Sequence, residues 1–243
     1  MKYSAQNTVG EIVAADYRTA AVFDRHSIDY CCNGNKNLAT ACEEKNMDVN
    51  KLMTELENSL VNSSESTTDF KSWPLDLLAD YIEKKHHKYC ESRITEIKPY
   101  IEKINSVHGS QHPELSEVKQ LFDKTAAEMS MHMKREELTL FPYIRKLVNA
   151  KEKGVKVDKP RFGSAESPIA RMMDDHAEEG ERFRKIRELT NDYTTPADGC
   201  NTYKITLEML KEFEEDLHLH IHLENNILFP KSLEIEKEVG EFS

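Results

Sequence analysis

The 243-residue chain has few of the residues that interrupt helices, only 8 glycines and 8 prolines. β-branched alternation is scarce too, so long helices are expected and a sheet is not. There is one tryptophan, and the five cysteines (31, 32, 42, 90 and 200) are an odd number without framework spacing or a CxxC pair. That usage points to a reducing compartment, with the cytoplasm as the expected location. No apolar run approaches the roughly 18 residues of a membrane span, and the opening Met1 to Asn7 stretch lacks an apolar signal core. A Walker loop, a GxGxxG fingerprint and any local signature of a serine or cysteine triad are all missing. The net charge of −11 leaves no basic stripe, so neither nucleic acid nor an anionic membrane is an expected partner.

What the chain does have is one pattern written twice. His132-Met-Lys-Arg-Glu136-Glu-Leu-Thr-Leu-Phe141-Pro142 returns 88 residues later as His220-Ile-His-Leu-Glu224-Asn-Asn-Ile-Leu-Phe229-Pro230. On a helix, His and Glu four apart share one face, about 6 Å apart along the axis. A single pair of this kind is most often a solvated surface contact. Two at the same distance from the same Leu-Phe-Pro ending read as two halves of an inward-facing metal site.

The organisation supports an interior site. Residues 1–62 read as a small helical domain. A capping box at Thr8-Val-Gly-Glu11 opens a helix carried by Ile12, Ala15, Ala20, Val22 and Phe23. An Asn33-Gly34 turn follows, then a short helix over 37–45 and another capped by Asp48. The polar stretch from Asn62 to Asp69 reads as a linker, placed at 63–71. Residues 72–243 then hold four helical segments, near 72–106, 112–149, 167–191 and 200–235, giving an all-α four-helix bundle with a helical cap.

The first and third segments each carry a further histidine where the repeat needs one. His86 lies 46 residues before His132, and His176 lies 44 before His220. Each helix hairpin thus supplies one His and then His-x-x-x-Glu. His87 adjoins His86, and spacing does not separate them. Four imidazoles and two carboxylates without thiolate favour iron, manganese or zinc. If both glutamates bridge, two ions roughly 3.5–4 Å apart fit the donor count. Glu128 and Asp216, one turn before His132 and His220, are candidate acceptors behind the ligands; a solvated pair is the equal alternative. His218, His222, His26, His108 and His112 fall outside the repeat.

Three segments together resemble the Repair of Iron Centers family: Asp29-Tyr30-Cys31-Cys32-Asn33-Gly34, His132-Met-x-x-Glu136-Glu, and His220-x-x-x-Glu224-Asn-Asn-x-Leu-Phe-Pro230. The resemblance covers nearly the whole chain. It implies a hemerythrin-like up-down four-helix bundle behind a small cysteine-bearing amino-terminal domain. It also implies two non-haem iron ions, oxo- or hydroxo- and carboxylate-bridged, on His86, His132, Glu136, His176, His220 and Glu224. The Tyr81-Ile-Glu-Lys-Lys-His86 context favours His86 over His87 in that comparison. Cys31 and Cys32 match the family's cysteine pair, a candidate for iron transfer or redox. A buried structural pair is the plain alternative for that doublet.

The expected function is repair of iron–sulfur clusters damaged by nitrosative or oxidative stress, by donation of iron from a labile di-iron centre. Damaged iron–sulfur proteins or a cluster-assembly scaffold are the implied partners. Nitric oxide and oxygen are the implied small ligands. Two other readings stand beside it, a di-iron nitric oxide reductase and a hemerythrin-like sensor or carrier. The first needs electrons, for which the chain carries no flavin or haem motif. The second has no evident use for a cysteine-bearing appendage.

Overall fold

The computed structural model describes residues 3–62 and 68–240, so residues 63–67 of the expected linker lie outside it. Four short helices come first: α1 (Val9–Ala15), α2 (Ala20–Arg25), α3 (Leu38–Glu44) and α4 (Val49–Asn62). The Thr8–Glu11 capping box is formed reciprocally, each partner satisfying one amide at the start of α1. The single helix expected through Phe23 is in fact two. Asp16 adopts an extended conformation, and its side chain accepts from the Arg18 amide, starting the separate turn Tyr17–Thr19. An aspartate that can bond its own downstream backbone competes with helix continuation.

The bundle contains α5 (Leu75–Tyr81), α6 (Lys88–His108), α7 (Glu114–Arg135), α8 (Phe141–Lys153), α9 (Glu166–Leu189), α10 (Asn201–Leu223) and α11 (Phe229–Val239). Three pairs are continuous through single widened turns of π type: α5 and α6 through Ile82–His87, α7 and α8 through Glu136–Leu140, α10 and α11 through Glu224–Leu228. Four long helices result, with α6 packed on α7 and α10, and α7 on α9. Among the described residues there is no strand, only isolated bridges at Thr8–Asn37 and Val157–Gly240.

Apolar packing divides into two clusters. One joins the amino-terminal helices, through Val9, Phe23, Leu38 and Leu52, to Ile97, Phe122, Phe183 and Phe213 of the bundle. The other gathers Leu78, Ile82, Phe141, Ile144, Ile169 and Phe229. Phe213 sits between Phe122 and Phe183 with ring centroids 5.6 and 5.5 Å away. Burying such a ring contributes about 1.5–3 kcal/mol. On every long helix the change from one cluster to the other falls at a similar level, between Ile82 and Cys90, Met133 and Leu140, Met172 and Phe183, Ile221 and Leu223. The histidines and glutamates of the repeat occupy that level.

The amino-terminal helices are seated on the bundle by close backbone approach. The bundle contact is Asn226, whose Nδ2 donates to the Tyr30 carbonyl at 3.1 Å, while inside the amino-terminal unit the Gly10 amide donates to the Gly34 carbonyl at 2.7 Å. A Cβ at Gly10 would overlap the Asn226 side chain, so glycine is required there by space.

Candidate metal centre

Each widened turn coincides with a donor. Glu136 and Glu224 open theirs, and His87 closes the first. Two of the turns have a sequence cause. Pro142 and Pro230 lie one residue past Phe141 and Phe229 and cannot donate to the preceding turn. Their rings crowd the carbonyl four residues back, which loosens the ladder just upstream. Turns of this kind are often found at functional sites because they re-aim side chains within an intact helix.

The re-aimed side chains form two groups with donor atoms within 4.8 Å of one another: His87, Glu136, His220 and Glu224; and His132, Glu136, His176 and Glu224. Both glutamates belong to both groups. All six residues are buried, with His132 at 2 % exposure and the other five at 0 %. His87 Nε2 lies 3.4 Å from Glu136 Oε2, His132 Nε2 3.3 Å from the same oxygen, and His176 Nε2 3.2 Å from Glu224 Oε2. His220 Nε2 is 3.2 Å from Glu224 Oε1, and the Nε2 atoms of His176 and His132 are 3.0 Å apart.

Neither Glu136 oxygen has a hydrogen-bond partner, nor do Glu224 Oε2, His87 Nε2 and His220 Nδ1. A fully buried carboxylate left this way is costly unless a cation meets it. The donor set therefore fits a metal ion on its own chemistry. The electrostatics agree. Burial alone would push His132 down, but the Glu136 carboxylate and Asp175 reverse this and push it up to about 10. His87 moves up against the same burial penalty, drawn chiefly by Glu136. Burial and the neighbouring Glu224 would raise Glu136, yet His132 and His87 hold it below its ordinary value. Glu224 is held well below its own by His220 and His176, again against burial. The two carboxylates call for positive charge beside them, supplied by protons on His132 and His87 or by a cation that replaces those protons.

The outer faces of the rings are held from neighbouring helices. His87 Nδ1 meets Glu137 Oε1 at 3.0 Å, His132 Nδ1 meets Asp175 Oδ2 at 3.2 Å, and His176 Nδ1 meets Asn225 Oδ1 at 2.9 Å. Such contacts fix ring orientation and the ligating nitrogen. Arg135 also donates to Asp175 at 2.8 Å.

Five of the six expected donors, His132, Glu136, His176, His220 and Glu224, come together; His86 is corrected. Its place in the groups is taken by His87, because the turn Ile82–His87 is wider than an α-turn and advances the face by one residue. His86 instead points Nδ1 at Asp216, 3.1 Å away, which gives Asp216 a partner outside the donor groups. Of the two alternatives left for Glu128, the ion pair is the one present: it pairs with Arg182 and Lys124, and Arg182 pairs with the buried Glu179. The acceptors Glu137, Asp175 and Asn225 were not expected. Each adjoins a donor in sequence, which is the signal that could have found them. His222 is buried and bonds Asn226, and His218 faces Tyr30. His108, outside the repeat, is nearly buried, and its Nε2 lies 3.3 Å from Cys200 Sγ.

Cys31 and Cys32 lie directly behind His176. Their sulfurs are 3.6 Å apart, and both amides donate to Asp29 Oδ1, at 3.0 and 2.8 Å. Cys32 Sγ reaches the His176 carbonyl at 3.3 Å, and Asn225 Nδ2 donates to the Cys31 carbonyl at 3.1 Å. The Cys32 thiol and burial hold Cys31 well above the ordinary thiol range, so it stays protonated at neutral pH. A cleft of about 260 Å³ opens beside Cys32, lined by Asp29, Asn33, Lys36, Gly180 and Arg184 among others.

Two family models match the chain. Residues 78–232 match the hemerythrin HHE cation-binding domain, and residues 5–60 match a domain of unknown function named ScdA_N. The iron–sulfur cluster repair protein ScdA of Staphylococcus haemolyticus is 31 % identical over 226 residues, 93 % of this chain and 97 % of that protein. A probable iron–sulfur cluster repair protein of Haemophilus influenzae is 32 % identical over 94 % of this chain and 97 % of its own. The iron–sulfur cluster repair protein YtfE of Escherichia coli is 31 % identical over 93 % and 96 % respectively. Among the described residues no helix is long and apolar enough to cross a membrane.

Proposed function

We propose, for a chain that belongs to the family of hemerythrin-type iron–sulfur cluster repair proteins, that it takes part in rebuilding clusters damaged by nitrosative or oxidative stress by supplying iron from its bundle. Iron is then the cargo. His87 and His220 would hold one ion, His132 and His176 the other, and Glu136 and Glu224 would be shared by both. The observation that carries this reading is the sharing itself: the same two buried carboxylates complete two four-donor groups, and three of their four oxygens lack a hydrogen-bond partner.

The residues suit holding without trapping. Histidine and carboxylate bind ferrous iron less tenaciously than a thiolate cage, and a carboxylate can shift between shared and terminal binding. Phe141 and Phe229, each about fully buried, stack on His87 and His176 at 5.5 and 6.1 Å and keep bulk water from the donors. Asn225 ties His176 to the Cys31 carbonyl, so the cysteine loop and the donor group are mechanically joined. Cys32, beside the cleft, would be the first soft donor met by an ion leaving past His176. Its thiol suits passage toward a cluster. The amino-terminal domain, residues 1–62, would then serve delivery while the bundle, 72–243, serves storage. A damaged iron–sulfur protein or a cluster-assembly scaffold would be the recipient, in the reducing cytoplasm that five free cysteines suit.

The test is anaerobic transfer. The iron-loaded protein is mixed with an apo iron–sulfur enzyme and a sulfide source, with no other iron present. Return of cluster absorbance and enzyme activity, lost when Glu136→Ala protein is the donor, is the expected result. Retention of iron by the loaded wild type while the apo enzyme stays inactive would overturn the proposal.

A further inference from the structure

Matching the two hairpins through their His-x-x-x-Glu segments pairs His87 with His176, His132 with His220, and Glu136 with Glu224. The two donor groups are thus one group built twice. What stands behind the imidazoles is not. His87 has Glu137 and His176 has Asn225, in each case the residue after the shared glutamate. His132 has Asp175, the residue just before His176. By the same correspondence the residue behind His220 is the one just before His87, and that residue is His86.

An imidazole there does not do what Asp175 does. The His86 and His220 rings are stacked, with centroids 5.6 Å apart and planes at 12°. Ring nitrogens donate and accept in the ring plane, so stacked rings cannot hydrogen-bond to each other. Asp216 holds His86 in that attitude, with both carboxylate oxygens 3.1 Å from Nδ1. The outcome is visible in two atoms: His86 Nε2 and His220 Nδ1 are both buried without a hydrogen-bond partner. Of the four imidazoles in the donor groups, His220 is the one with nothing behind it.

We propose, resting on the reading that two iron ions bind here, that the two positions are inequivalent and that the ion between His87 and His220 leaves first. A ligating histidine whose outer N–H meets a carboxylate is oriented and made more basic, and losing such a partner costs about 10- to 100-fold in metal affinity. The pair of His132 and His176 has a carboxylate and an amide behind it. The pair of His87 and His220 has one carboxylate alone. Asp216 and His86 act as positioning residues that keep this difference: they occupy the place where an acceptor would stand.

The experiment uses the full-length protein loaded anaerobically with ferrous iron, mixed with excess ferrozine and followed by absorbance. Wild type should release its iron in two phases of equal amplitude, separated by about 10- to 100-fold in rate. Asp175→Asn should quicken the slow phase by a similar factor and leave the fast one alone. His86→Asp combined with Asp216→Asn, which puts a carboxylate where Asp175 stands in the other half, should slow the fast phase. Release in one phase, or an Asp175→Asn change confined to the fast phase, would overturn the inference while leaving the two-ion reading intact. Loading that saturates below two irons per chain would instead remove the two-ion reading, and this inference with it. Asp175 is partly exposed and its substitution isosteric, so that arm stands even where the double variant fails to fold.

Discussion

His87 Nε2 lies 3.4 Å from Glu136 Oε2, and both side chains are fully buried. The contact depends on the widened turn Ile82–His87, which turns His87 inward and leaves its neighbour His86 to Asp216. His87→Ala should therefore cut bound iron from about two per chain to one or fewer, while His86→Ala retains both at saturation. Metal analysis of the two purified variants checks this, and the reverse pattern would return His86 to the donor set.

Glu136 and Glu224 are each asked to serve two ions. Glu136→Ala or Glu224→Ala should lower iron content sharply with far-ultraviolet circular dichroism unchanged. Added ferrous iron should also stop stabilising the fold, a gain of about 2.7 kcal/mol at a hundredfold excess over Kd in the wild type. Thermal melts with and without iron measure it. Full occupancy in either variant would mean that other carboxylates hold the metal.

Gly10 packs directly against Asn226 of the bundle. A Cβ there would overlap Asn226 and crowd the Gly34 carbonyl at 3.0 Å. Gly10→Ala should cost about 1–3 kcal/mol through overpacking, read as a fall in Tm of about 2–4 °C per kcal/mol in a chain of this size. An unchanged Tm would show that the amino-terminal helices are not seated as described.

Cys200 differs from the other thiols. It is exposed, at the start of α10, and the Tyr203 amide and His108 imidazole lower its pKa to about 7. A lowered thiol is thiolate above that value and thiol below it. Iodoacetamide should therefore modify Cys200 with a half-maximal rate near pH 7, with buried Cys31, Cys42 and Cys90 lagging. His108→Ala should shift the midpoint upward. Mass spectrometry of the modified peptides reads both outcomes, and a midpoint unaffected by the substitution would exclude the His108 contribution.

The sequence carried the bundle, the capped first helix and the two His-x-x-x-Glu segments, because each rests on local periodicity or on a cap within a few residues. It also carried two of the three widened turns, in the prolines of the Leu-Phe-Pro endings. The third, Ile82–His87, has no proline after it, and without that turn His86 and His87 cannot be told apart by counting. Glu128 stayed open for a related reason: an i−4 acid shares the helix face of His132, and only packing shows that Arg182 arrives from another helix to pair with it. Glu137, Asp175 and Asn225 each adjoin a donor in sequence, but they act across helices, so which imidazole each one meets follows from packing.

The most direct measurement is the metal content of protein purified anaerobically, together with its near-ultraviolet absorption after exposure to air. About two irons per chain, with the absorption of an oxo-bridged iron pair, is the predicted result. One ion per chain, or zinc that ferrous iron does not replace on reconstitution, without that absorption, would contradict a paired iron centre on His87, His132, His176, His220, Glu136 and Glu224.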